Sequence, residues 1–99
     1  MQYMDATLVY AKKDKYPSGL IIEAVIWQLP KPSLERPHGF KYRLYCGRNG
    51  DCIVRYDNES GKGDHIHYGS REQPYHFSSF GQLVQDFYAD IERLTGEKP

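Results

Sequence analysis

Apolar and polar residues alternate with the period of a strand along the middle of this chain, and with the period of a helix near its end. Thr7–Lys12 reads as a short strand with Leu8 and Tyr10 on one side. Leu20–Leu29, rich in Ile and Val and containing Trp27, reads as a central strand with the tryptophan in the core. Pro17-Ser18-Gly19 marks a turn before it, and Pro30, Pro32 and Pro37 mark a loop after it, because proline donates no ladder hydrogen bond. Phe40–Cys46 alternates apolar and charged residues, as a half-buried strand does. Asn49-Gly50 predicts a hairpin turn, since both residues tolerate positive φ, and Cys52–Asp57 is the return strand.

The closing segment has the clearest period. Phe80, Leu83, Val84, Phe87, Ile91 and Leu94 share one helical face. Ser79 with Gln82 resembles a capping box, and Gly96 suits a helix C-terminus, so a helix is expected over about 80–94. Glu92 and Arg93 belong to its solvated face, and the tail Glu97-Lys98-Pro99 is expected to fray. The chain therefore predicts a single α+β domain over residues 1–99. Its architecture is an antiparallel sheet of about four strands with one C-terminal amphipathic helix packed on one face.

Between the fourth strand and the helix lies Lys62-Gly63-Asp64-His65-Ile66-His67. Gly61, Gly63 and Gly69 punctuate this stretch, which reads as a loop or a short irregular strand. If it is extended, His65 and His67 point to the same side. Such a pair suits proton transfer or metal binding. Asp57 ends a strand where it can face the same spot, although Asp57–Gly61 also reads as a polar turn. His38, in the proline-rich loop, receives no role.

Composition narrows the classes. Nine Tyr, four Phe and one Trp argue for a folded chain. Thirteen basic residues balance thirteen acidic ones, which disfavours a broad polyanion-binding footprint. Residues 41–71 hold six cations against four carboxylates, so a small, locally basic site is compatible with that balance. The apolar run at Leu20–Leu29 is broken by Glu23 and Gln28 and is too short to span a bilayer, so no membrane partner is expected. Met1–Asp5 shows no basic region leading into an apolar run, and a cytoplasmic location is expected. Cys46 and Cys52 then read as reduced, ordinary thiols, too few for a structural zinc site.

Arg55-Tyr56-Asp57-Asn58, the Lys62–His67 motif, Arg71-Glu72-Gln73-Pro74-Tyr75 and the closing helix together resemble the TumE family. The resemblance covers roughly the C-terminal half. It implies the toxin half of a prokaryotic toxin–antitoxin pair, with a helix-turn-helix protein as antitoxin. Many toxins of such pairs cleave RNA, which makes RNA the expected substrate by analogy.

Three readings of the motif follow. In a ribonuclease, His65 and His67 would transfer protons, Asp64 would orient an imidazole, and Lys62 and Arg71 would hold phosphate. Tyr75 would then stack on a base or donate a hydrogen bond. In a metal-dependent hydrolase, a divalent ion would sit on His65, His67 and Asp64, with Asp57 or His76 as other third ligands. In a non-enzymatic interaction module, Asp64 would cap a turn and the histidines would be ordinary surface residues.

Overall fold

The computed structural model describes residues 5–59 and 61–99. Ser60, in the polar turn expected at 57–61, and residues 1–4 lie outside the described residues. Six strands form one antiparallel sheet: β1 (Thr7–Lys15), β2 (Leu20–Gln28), β3 (Phe40–Arg48), β4 (Asp51–Asp57), β5 (His65–Tyr68) and β6 (Arg71–Pro74). They pair in chain order, each with its neighbour. A helix, α1 (Phe80–Thr95), follows. The α+β class and the C-terminal helix agree with the sequence, but the expected four strands are six. The two additional strands, β5 and β6, are four residues each, too short to show a period before their pairing is known. Pro74 is tolerated in β6 because that strand lies at the sheet edge.

Strand alternation sends Leu20, Ile22, Ala24 and Ile26 of β2 to one face, where Tyr42, Leu44, Cys46, Val54, Tyr56 and Ile66 join them. Leu83, Phe87 and Ile91 of α1 close this core. The helix is capped as its sequence suggests. Ser79 Oγ accepts from the Gln82 N–H at 3.1 Å, and Gly96, at φ 77°, donates its N–H to the Glu92 carbonyl at 2.8 Å. The Asn49-Gly50 turn has positive φ at both residues, 54° and 82°.

Three expectations fail locally. Trp27 is half-buried on the face away from the helix rather than in the core. A register shift between Leu8 and Tyr10 places Leu8 opposite Trp27 and Tyr10 opposite Ile26, so the two do not share a side. The tail is tied back at Glu97. Glu97 accepts from Ser18 Oγ at 2.8 Å and also pairs with Arg48.

Gly47 sits at a second register shift, between Cys46 and its neighbour. A Cβ there would lie 2.7 Å from the Asp51 carbonyl oxygen and would strike the Tyr45 side chain as well. Backbone on one side leaves no room to relax. Gly47→Ala is expected to lower stability by about 1–2 kcal/mol in a urea melt. A midpoint equal to that of the native chain would refute this contact.

Among the described residues, no helix is long and apolar enough to cross a membrane. The helix covers one face of the sheet. The other face carries Trp27, Arg43, Tyr45, Arg55 and Asp57, by their positions in the strand register.

Candidate functional site

Alternation along β5 divides its four side chains. Ile66 enters the core, and the Tyr68 hydroxyl donates to Asp90 Oδ2 of the helix at 2.6 Å. His65 and His67 therefore face the uncovered side, as an extended backbone requires. His65 lies opposite Asp57 of β4 and Pro74 of β6, and His67 lies opposite Arg55 and Glu72. Their rings meet edge to face with centroids 4.7 Å apart.

Asp57, His65 and His67 form one cluster whose donor atoms lie within 4.8 Å of one another. Asp57 and His65 are buried, with 3% and 6% exposure. The His65 Nδ1 is 2.9 Å from the Gly63 carbonyl oxygen, which can only accept, so this nitrogen carries a proton. Its Nε2 stands 2.7 Å from Asp57 Oδ1. The other carboxylate oxygen, Oδ2, accepts from Arg55 Nε at 2.7 Å. His67 Nε2 is 3.1 Å from Glu72 Oε2. These are charge contacts at short range. Asp57 Oδ1 and His67 Nε2 are nevertheless buried without a properly directed hydrogen bond.

Burial disfavours the charged form of His67 and lowers its pKa, and the nearby Arg55 guanidinium acts in the same direction. A hydrogen bond from Lys62 holds the Glu72 carboxyl below its usual range, with the two imidazoles adding to the effect. Lys62 Nζ lies 3.3 Å from Glu72 Oε2. A cleft of about 330 Å³ opens beside the cluster, lined by Lys62, Asp64, His65, Glu72, Gln73 and Pro74.

The other sequence candidates lie elsewhere. Asp64 is bonded to His38 and Tyr42, not to the clustered imidazoles. It accepts from the Tyr42 hydroxyl at 2.5 Å and stands 2.9 Å from His38 Nε2. The Arg71 guanidinium lies 5.8 Å from the Tyr68 ring centre, on the helix side of the sheet. Tyr75 donates to Asp86 Oδ2 at 2.6 Å and packs edge-on against Tyr56. His76 is exposed and outside the cluster. Both cysteines are free, and burial pushes the Cys46 thiol up to about 11 and raises Cys52 as well, which suits inert thiols.

Two participants escaped sequence reasoning. Glu72 reaches His67 only through the β5–β6 pairing. His38, for which the sequence predicts no role, bonds Asp64 at the entry to β5. Neither has a local signal, since both meet their partners through tertiary pairing.

A family model described as Toxin TumE matches residues 3–95. No curated protein and no solved structure matches the chain.

Proposed function

The chain belongs to the TumE toxin family, and from that membership we propose a toxin that cleaves RNA at the Asp57–His65–His67 cluster. Its expected antitoxin is a helix-turn-helix protein, with both partners in the cytoplasm. The observation that carries this reading is the convergence of two imidazoles and a carboxylate on the sheet face that the helix leaves uncovered. Phosphodiester cleavage needs a group that activates the attacking oxygen and positive charge for the phosphoryl oxygens. The cluster offers the first. Lys62 and the Arg43 and Arg55 positions in the register around Asp57 offer the second.

The two histidines have different parts. Both nitrogens of His65 are engaged, one by the Gly63 carbonyl and one against Asp57, so His65 has no nitrogen left to exchange protons with a substrate. It is a positioning group. His67 Nε2 makes no directed hydrogen bond, with Glu72 Oε2 3.1 Å away, so His67 is the imidazole that retains a nitrogen for proton transfer. The paired acid–base scheme for His65 and His67 is accordingly narrowed to His67.

Purified protein incubated with total cellular RNA is expected to cleave it. His67→Ala, with an unchanged circular dichroism spectrum, is expected to cleave at least about 100-fold more slowly. Equal cleavage by the variant, or none by the native protein, would sink this reading. The uncovered face would then read as a protein-interaction surface.

A further inference from the structure

We propose that Asp57, His65 and His67 bind one divalent transition-metal ion of the zinc class, with Glu72 within reach as a fourth donor. This goes beyond the RNA reading, shares His67 with it, and is tested separately from it.

The donor set comes first. Two imidazoles and a carboxylate suit zinc, whereas magnesium prefers oxygen ligands in octahedral array. Zinc bonds of about 2.0–2.2 Å place tetrahedral donors roughly 3.3 Å apart. The observed separations start at 2.7 Å between Asp57 Oδ1 and His65 Nε2, and none exceeds 4.8 Å. They bracket the required spacing, so small side-chain rotations close the site.

The surrounding hydrogen bonds point the donors inward. A metal-bound imidazole commonly donates its second N–H to a carbonyl or carboxylate, which fixes the ring and its tautomer. His65 does so through Nδ1 to the Gly63 carbonyl at 2.9 Å, leaving Nε2 as the ligating nitrogen. Asp57 is held in the same manner, its second oxygen accepting from Arg55 Nε at 2.7 Å.

The decisive observation is the pair of orphaned atoms. Asp57 Oδ1 and His67 Nε2 are buried without a directed hydrogen bond, although charge contacts reach each of them, and the donor atoms of Asp57, His65 and His67 lie within 4.8 Å of one another. Unsatisfied buried polar atoms are costly. Protons would answer them only one contact at a time, on His65 toward Asp57 at 2.7 Å and on His67 toward Glu72 at 3.1 Å. A divalent cation answers all three donors at once. Of the third ligands the sequence offered, Asp57 takes the place next to the imidazoles and Asp64 and His76 do not.

The test is zinc titration of EDTA-treated, dialysed full-length protein by calorimetry, in the absence of RNA. One equivalent per chain should bind, and His67→Ala and Asp57→Asn should each weaken binding at least about 100-fold while circular dichroism reports a retained fold. Cobalt(II) provides a readout that needs no variant. Native protein should show tetrahedral visible bands without the near-ultraviolet thiolate band that Cys46 or Cys52 would produce. No saturable binding, a thiolate band, or undiminished affinity in both variants would overturn the site. The two proposals also separate. Zinc bound without RNA cleavage overturns the RNA reading and keeps the site. Cleavage in EDTA by protein that binds no zinc overturns the site and keeps the RNA reading.

Discussion

Phe87→Ala should remove about 3–5 kcal/mol of stability, the range for emptying a buried aromatic position. Phe87 is fully buried and meets the Tyr56 ring edge-on, with centroids 6.0 Å apart. Among the described residues α1 is the only helix, and Phe87 is the largest side chain it sends fully into the core. A chain of 99 residues is expected to hold about 5–15 kcal/mol in total, so this substitution approaches global unfolding. Phe87→Leu keeps most of the volume and should cost roughly 1.5 kcal/mol. Leu94→Ala, two turns further along the same helical face but 41% exposed, should cost about 0.5 kcal/mol or less. Chemical denaturation of the three variants gives the comparison. Similar losses at Phe87 and Leu94 would mean that the helix is not seated as described.

The helix was legible because its signals are local. Its period, its Ser79 cap and its Gly96 terminus are all read within one continuous segment. The first four strands were legible for the same reason, and the Asn49-Gly50 turn fixed one pairing outright. The strands β5 and β6 were not, because four residues with glycine at the turn carry no period that outweighs loop composition. Trp27 was misplaced by a general rule about large apolar residues. Its neighbours in β2 already fill the helix-facing side, and alternation sends Trp27 to the other. Leu8 and Tyr10 were separated by a bulge, which no alternation rule anticipates.

Within the site, His65 and His67 were legible because spacing by two is itself the geometry. Asp57 was legible as a strand end near them. The remaining partners depend on register across strands or on contacts between distant segments. Glu72 needs the β5–β6 hairpin, and His38 meets Asp64 across 26 positions. Asp64 illustrates the difference between adjacency in sequence and in space. It precedes His65 directly, yet alternation turns the two side chains to opposite faces.

Asp64→Ala should therefore act on stability and not on chemistry. Asp64 is the hub of a clasp between the proline-rich loop and the start of β5. The Phe40 N–H donates to His38 Nδ1 at 3.1 Å, so the proton of that ring sits on Nε2 and is shared with the Asp64 carboxylate at 2.9 and 3.1 Å. The His38 ring also stacks on Phe77 with centroids 3.8 Å apart. The Tyr42 hydroxyl donates to the same carboxylate, and Tyr42 is 1% exposed. Burial first, and then this hydrogen bond to Asp64, push the Tyr42 pKa far up, so it stays a donor throughout. Removing the carboxylate leaves a buried hydroxyl and an imidazole N–H without their acceptor. The cost should be about 2–4 kcal/mol, discounted for the partial exposure of His38 and Asp64. In a Tyr42→Phe background the hydroxyl is gone and the same substitution should cost only about 1 kcal/mol, a coupling that a double-mutant cycle measures. Activity per folded molecule, and zinc affinity, should stay within about tenfold of the native protein, because Asp64 touches neither imidazole of the cluster. If Asp64 instead orients a reacting imidazole, the pattern inverts. Cleavage then falls at least about 100-fold in a variant that melts like the native chain, and the assignment of Asp64 to the clasp is wrong.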